Sequence, residues 1–393
     1  MTGTDPHLAA ALPAAIDLRH RLHQIPELGY AEHKTAELVR AELTRLGIEF
    51  VAGVPDAPTA TVAWIGDPSK PCVALRADID ALPITENTGL PYASTHAGVM
   101  HACGHDGHTA TLLATAAVLK AMSGELPNCV KLMFQPAEEG GGGGRRLVQG
   151  GVLDGRLGPR VSAVFGLHGW PGLPVGTVAT KPGVLLAATD VFVATFVGRG
   201  CHGAYPHLGR DPIVTAAEAV LNLQQFVSRE YDPTDPAVVT VGKFHAGTAT
   251  NVIPDEAVIE GTARTLSAEG RRSARTAIER RCAGIAAAND CGLRFDWYDG
   301  YPPTVNDPAM ADRVAAVAKA TLGVDRFVPI GHPSMGGEDF AYYLEQVPGC
   351  FFLLGMDPPH ATGSPPLHSD RYDFADDAIG VGARMFLALS GAA

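Results

Sequence analysis

The sequence has no long apolar run, no excess of positive charge and no paired cysteine spacing, and each absence removes a class of protein. A membrane-spanning helix needs about 20 consecutive apolar residues, and no stretch approaches that length. Lys and Arg number 30 against 42 Asp and Glu, a net charge of −12. Nucleic acid and anionic membranes are therefore not the expected partners. Residues 1–17 carry no basic segment followed by an apolar one, so a secretory signal is not expected. The seven cysteines, at 72, 103, 129, 201, 282, 291 and 350, are scattered and odd in number. That argues against a disulfide framework and for a cytoplasmic location. Internal repeats are missing too, and the one biased stretch is the glycine run 140–144. What remains is a chain of 393 residues, 46% hydrophobic and 18% charged, which suits a soluble protein of two domains.

Helical spacing marks residues 8–23 and 32–46. In the second, Ala36, Val39, Leu43 and Leu46 share a face and Gly47 is a stop. Short apolar strands are expected at 73–76, 130–134 and 161–167, with an Ala/Leu-rich helix at 109–122. This alternation predicts an α/β layer with a mainly parallel sheet. The pattern changes near residue 187. Strands at 189–197, 238–244, 256–265 and 293–298 are interleaved with helices at 212–229 and 268–288. That order, βαββαβ, is the split arrangement of a ferredoxin-like unit. The α/β character then resumes with helices at 309–322 and 340–345 and a strand at 350–354. The expected organisation is a discontinuous domain, 1–186 and 299–393, interrupted by an inserted one at 187–298.

Two blocks carry the chemistry: Met-His-Ala-Cys-Gly-His-Asp-Gly-His at 100–108, and Gln-Pro-Ala-Glu-Glu at 135–139. A hydrolytic metal site needs soft and borderline ligands plus a spare carboxylate to activate water. Cys103 and His105, one glycine apart, reach one ion if the turn is tight. Glu138 and Glu139 at a strand end point in different directions, so one can hold an ion and the other serve as base. His168 falls at another strand end, and Asp78 and Asp80 at a third, where open α/β sheets place their sites. Taken singly, each has a plainer explanation: a buried thiol beside a core histidine, solvated glutamates, loop histidines, a salt bridge from Asp78 to Arg76. The case rests on their joint placement. The glycine run is no phosphate loop, because Arg145-Arg146 stand where Lys-Ser or Lys-Thr is needed. In the inserted segment, His202, Asn251 and Arg264 read equally as structural polar residues or as a grip for a substrate carboxylate.

Taken together, the blocks resemble a known family. The resemblance begins at Arg-Leu-His-Gln-Ile-Pro-Glu-Leu-Gly (21–29) and continues through Arg-Ala-Asp-Ile-Asp-Ala-Leu-Pro (76–83) and the two blocks above. It includes Gly-Leu-His (166–168), the His202 and Asn251 loops, and Met-Gly-Gly-Glu-Asp-Phe (335–340). It ends at Leu-His-Ser (367–369) and Asp373-Phe374. The chain is similar to the amidohydrolases that include hippurate hydrolase, bacterial N-acyl-amino-acid amidohydrolases, N-acetyldiaminopimelate deacetylase and plant indoleacetyl-amino-acid hydrolases. These are relatives of aminoacylase-1 and of zinc carboxypeptidases with an inserted lid domain.

The resemblance implies two divalent ions (Zn, Mn, Co or Ni) held by Cys103, His105, Glu139, His168 and His368. It implies Glu138 as general base, and Asp78, or alternatively Asp80, as the carboxylate usually called catalytic. It places His202 over the substrate from the lid, and Asn251 and Arg264 on the substrate carboxylate. The implied reaction is hydrolysis of an N-acyl amino acid, with a dipeptidase or carboxypeptidase activity as the alternative. The implied assembly is a homodimer or homotetramer through the lid. A binding protein that has lost catalysis is disfavoured, because the ligand positions and the base are intact. Gly144 stands where many relatives have alanine, with no functional consequence expected.

Overall fold

The structure is a computed structural model that describes residues 6–359 and 363–392. The chain divides into two compact units. One comprises residues up to Leu185, Val305–His332 and the segment from Asp339 onward; the other comprises Leu186–Thr304 and Pro333–Glu338. No helix among the described residues is long and apolar enough to cross a membrane.

The first unit is built on an eight-stranded sheet. Its order is Phe50–Val54, Ala57–Ile65, Cys129–Gln135, Cys72–Asp78, Val161–Pro174, Gly349–Asp357, Val178–Thr180 and Phe327–Pro329. The central pairings, from Cys129–Gln135 to Gly349–Asp357, are all parallel. Phe50–Val54 and Ala57–Ile65 join antiparallel at one edge. Cys72–Asp78 and Cys129–Gln135 are buried along their whole length. Burial without alternation is what a parallel strand covered on both faces shows, and here it takes in the polar residues Arg76, Asp78, Lys131 and Gln135 as well as the apolar ones.

Helix His105–Ala121 is buried almost throughout and packs between helices Pro6–Gln24 and Asp376–Ser390. Small residues make this possible. A Cβ on Gly107 would lie 2.3 Å from the Phe374 ring, so nothing larger than glycine fits there.

Several elements differ from the sequence pattern. The helix expected at 109–122 starts at His105, because Gly104 at φ +84° turns the chain directly into it. The strand expected at 161–167 runs on to Pro174, since Gly349–Asp357 pairs beside it (Leu353 with His168, Gly355 with Trp170). His168 therefore sits within a strand rather than past its end. Helix Asp376–Ser390 and the strands Phe50–Val54 and Ala57–Ile65 were not apparent in the pattern. Gly380 and Gly382 weaken a helical reading of that segment. In the fold they let it press against Leu12, Thr111 and Leu167.

In the second unit four antiparallel strands lie in the order Ala237–Ala246, Glu256–Thr265, Ala188–Val197, Gly292–Asp299. Helices Pro212–Gln225 and Ala268–Ala288 complete the βαββαβ arrangement. Glu256–Thr265 alternates buried and open residues along its length, the period of a sheet covered on one face. Its buried set joins Phe192, Phe196, Leu223, Phe226 and Ile278 in a separate core. The helix expected to reach Arg229 ends at Gln225 and continues as a π turn, Phe226–Glu230. Asp211 and Ser267 cap the two helices through side-chain oxygens.

Candidate metal centre and active site

Four separate segments of the first unit converge on one cluster. Cys103 lies in the turn before helix His105–Ala121, and His105 opens that helix. Gly104 between them takes a left-handed conformation, and a Cβ there would meet the Phe374 ring at 2.9 Å and Tyr372 Oη at 3.0 Å. Glu138 and Glu139 follow strand Cys129–Gln135, and His168 lies in Val161–Pro174. His368 comes from a loop that donates its backbone N–H to Ala102 O at 2.8 Å. It too is left-handed, at φ +65°.

Ligand atoms of Cys103, His105 and His168 lie within 4.8 Å of one another, as do those of Cys103, Glu139 and His368, and those of His105, Glu138 and Glu139. Cys103 Sγ is 3.4 Å from His168 Nε2, and His368 Nε2 is 3.2 Å from Glu139 Oε1. The structure thus brings together all six residues that the sequence put forward as ligands and base.

The hydrogen bonds around the histidines show which nitrogens are free. His168 Nδ1 is 2.7 Å from its neighbour's carbonyl, Gly169 O, so it carries the proton and Nε2 faces Cys103 as a lone pair. His105 Nδ1 is 3.2 Å from Asp80 Oδ1, and its Nε2 is buried with no hydrogen-bond partner. Glu139 Oε1 is likewise buried without one, despite the nearby His368 nitrogen. Buried polar atoms left without partners are costly, and here they converge on a soft and borderline donor set that suits a divalent cation.

His108, also in this region, belongs to a different arrangement. Its Nε2 accepts the Gly169 N–H at 2.9 Å and its Nδ1 faces Asp78 at 2.6 Å, so it has no lone pair to offer a metal.

The two aspartates are now distinguished by their contacts. Asp80 touches a candidate ligand through each oxygen: Oδ1 faces His105, and Oδ2 accepts the Glu139 backbone N–H at 2.9 Å. Asp78 instead joins His108 to the buried Arg76, whose Nη1 is 2.6 Å from it. Arg76 also donates to Gln135 and Asp339. Asp339 accepts further bonds from Gln135 and from the Gly144 N–H. Its own backbone N–H lies 3.4 Å from Glu138 Oε1.

The electrostatics follow from this layout. Burial and the neighbouring Glu139 and Glu138 push the Cys103 thiol well above its usual range. Burial also holds His168 neutral. Although burial opposes it, Asp78 and Asp80 raise His105 to about 10. Burial likewise opposes the ionised form of Asp78, but Arg76, His105 and His108 keep it well below the carboxylate range. Burial lifts Asp339 to about 6 in spite of Arg76. A cation would invert the local balance, because a coordinating thiol gives up its proton and a coordinating imidazole is neutral.

In the second unit, His202 and Asn251 are exposed on a small ribbon in which Cys201–His202 pairs with Val252–Ile253. The Gly203 N–H donates to Asn251 O at 2.7 Å. His202 Nδ1 accepts the Ala204 N–H at 3.0 Å, which leaves Nε2–H as a free-standing donor. Arg264 is elsewhere. It pairs in register with Thr189, whereas Asp255 and Glu256, beside the ribbon, lie at the opposite end of the same strand. Eight residues of strand span roughly 26 Å.

A family model described as peptidase family M20/M25/M40 matches residues 74–391. The chain belongs to this family. It is 44% identical over 362 residues to an N-acetyl-L-cysteine deacetylase of Bacillus subtilis (strain 168), covering 91% of this chain and 83% of the relative. It is 40% identical over 379 residues to IAA-amino acid hydrolase ILR1-like 4 of Arabidopsis thaliana, covering 95% and 84%. Its fold matches the crystal structure of the Bacillus subtilis YXEP protein, a dinuclear metal-binding peptidase of the M20 family, with a TM-score of 0.82 and 38% identity. That match covers 97% of this chain and 98% of the other. As an M20 member, the protein is a metal-dependent amide hydrolase.

Sequence reasoning missed the supporting residues of this M20 site: Glu32, His108, Gln135 and Asp339. His108 and Gln135 stood inside the two leading blocks and Asp339 inside the 335–340 block, so a signal was present. Glu32 had none, because it acts across 105 residues of chain.

Proposed function

We propose that the protein hydrolyses the amide bond of N-acyl-L-amino acids, of hippurate or N-acetyl type, to a carboxylic acid and a free amino acid. The observation that carries this reading is the junction of the unpartnered His105 Nε2 and the buried Glu139 Oε1, which faces His368 Nε2, with a second carboxylate, Glu138, beside them. Cys103, His105, Glu139, His168 and His368 are the residues that would hold two divalent ions, with zinc, manganese, cobalt and nickel all compatible with mixed S, N and O donors. When bound, such ions supply Lewis acidity and make water acidic enough to attack at neutral pH.

The chain's own groups do the rest. Glu138 takes the proton of the attacking water and returns it to the leaving amine nitrogen. Asp80 fixes the tautomer of His105 and the backbone of Glu139, the usual task of a carboxylate behind a ligating imidazole. Asp78 holds His108, and through it the Gly169 peptide beside His168. His202 presents Nε2–H to the developing oxyanion. Arg264 grips the substrate carboxylate through two parallel bonds and Asn251 adds a neutral donor.

One copy of the second unit cannot bring both His202 and Arg264 to a single small substrate across roughly 26 Å. We therefore infer a homodimer, or a tetramer of such dimers, joined through the 187–298 lid. Each site then uses Arg264 from one copy and the His202–Asn251 ribbon from the other. A cytoplasmic setting suits the free cysteines.

The test is a substrate panel on protein loaded in turn with zinc, manganese, cobalt and nickel. Hippurate and N-acetyl amino acids are expected to be turned over at least tenfold faster, in kcat/KM, than unmodified dipeptides. The reverse order makes it a dipeptidase, and no turnover with any metal refutes the reading.

A further inference from the structure

Glu138 and Glu139 are adjacent, so their different roles depend on how the backbone enters the pair. Ala137, just before them, lies in the left-handed region at φ +54°. Alanine takes that conformation rarely, because its Cβ crowds the following carbonyl. Something must hold it there.

The fold shows what does. The Ala137 N–H donates at 2.8 Å to Glu32 Oε1, and the Ala137 carbonyl accepts the Gly143 N–H at 3.1 Å. Room for the Ala137 methyl comes from Gly29 and Gly141. A Cβ on either would come within 3.0 Å and 2.6 Å of it, respectively. The other Glu32 oxygen accepts the Thr59 hydroxyl at 2.7 Å. Glu32 is fully buried.

The placement of Glu32 sharpens the argument. It is the N-cap residue of helix His33–Arg45, a position at which a short side-chain oxygen (Ser, Thr, Asp or Asn) commonly accepts a backbone N–H of the first turn. It makes no such bond. Glu27 accepts the Thr35 N–H and hydroxyl instead, at 3.0 and 3.1 Å. The Glu32 carboxylate is thereby left for Thr59 and for a peptide 105 residues away.

We propose that Glu32 is a positioning residue for the general base, holding the left-handed turn at Ala137 from which Glu138 and Glu139 diverge. The proposal rests on the reading of Glu138 as base. Its first test does not need that reading.

Backbone amide exchange of the segment 135–143 is measured by mass spectrometry in the zinc-loaded wild type, Glu32→Ala and Glu32→Gln. Exchange is expected to accelerate at least tenfold in Glu32→Ala. It should stay near wild type in Glu32→Gln, whose amide oxygen still accepts the Ala137 N–H. Kinetics on N-acetyl-L-methionine follow. In Glu32→Ala, kcat should fall at least tenfold, with KM within threefold and zinc content unchanged, while Glu32→Gln keeps at least half of kcat. Adding Ala137→Gly to Glu32→Ala should recover kcat at least threefold, because glycine takes the left-handed turn without steric cost.

Wild-type kcat in a zinc-replete Glu32→Ala protein would overturn the proposal. So would equal damage from Gln and Ala, or failure of the glycine to rescue. If Glu32→Ala does not fold, Glu32→Met, which fills the volume without an acceptor, carries the same expectations. Loss of folding in both makes Glu32 a structural residue and ends the proposal. If N-acetyl amino acids prove not to be substrates, the functional reading fails while the exchange result still decides the Glu32–Ala137 contact.

Discussion

Glu138 and Glu139 share a peptide bond, yet each is addressed by a different part of the fold. The Glu139 N–H is bound by Asp80 and its carboxylate faces His368 and His105. Glu138 Oε1 faces the Asp339 N–H, on a segment fixed by Arg76, Gln135 and Gly144. Under the proposed mechanism only Glu138 moves a proton. Glu138→Gln keeps the size and the hydrogen-bonding reach but cannot accept the proton. Turnover should drop by about 10²–10⁴-fold, with metal content by atomic emission equal to wild type; retained activity in the metal-replete variant removes Glu138 as base. The candidate site was legible in the sequence to the extent that its residues came in short blocks, as Cys103–His105 and Glu138–Glu139 did. The choice between Asp78 and Asp80 was not legible. Asp78 ends a strand and Asp80 lies two residues beyond it, and the bonds to His108 and His105 are what separate them.

At the scale of elements, the turn that carries Cys103 and His105 is anchored by a buried charge cluster. Arg19 on helix Pro6–Gln24 binds Asp106 at 2.9 Å and Asp376 at 2.9 Å, and also Asp373. His23 sits between Asp106, at 2.9 Å, and Glu86, at 3.3 Å. Burial disfavours the charged imidazole and Arg19 repels it, but Asp106 and Glu86 raise it to about 9. A histidine held above its unfolded value of about 6.5 stabilises the fold fully below that pH. The contribution is then lost as pH rises through about 9. It amounts to a few kcal/mol at most, since a buried pair must first repay desolvation. The gap in thermal midpoint between wild type and His23→Gln, measured in metal-free protein, should therefore be widest near pH 6 and close by pH 9.5. A gap that does not change with pH would mean that His23 is neutral. Elements like these were partly readable. The strand Glu256–Thr265 and the helix Ala268–Ala288 showed their faces as clean periods, because each buries one side only. Helix Asp376–Ser390 went unread although its apolar residues are segregated, because it is enclosed nearly all round and carries glycines, poor helix formers, where neighbours press against it.

For the whole molecule, if Arg264 and the His202–Asn251 ribbon both serve one substrate as proposed, their separation requires more than one copy of the chain per working site. Both lie in the second unit, Arg264 near one end of the four-stranded sheet and the ribbon, a separate strand pair, beside the other, and no side-chain motion closes roughly 26 Å. A site shared between two copies makes a prediction that a single-chain site does not. Glu138→Gln lacks the base but keeps the ribbon; His202→Ala lacks the donor but keeps the base. Each alone should be nearly inactive. If they are unfolded together, refolded and reloaded with zinc, half of the dimers are mixed. Each mixed dimer then has one complete site, in which Glu138 of one chain meets His202 of the other. Activity should return to about a quarter of wild type, the statistical share for a two-fold dimer. A site confined to one chain gives no recovery, because no chain then holds both groups. The same mixture made with Glu138→Gln and Arg264→Ala should stay inactive if His202 is the residue that crosses, because Arg264 then belongs with Glu138 of the same chain. Recovery in that second mixture, or silence in the first, would reverse the assignment of which residues cross between subunits.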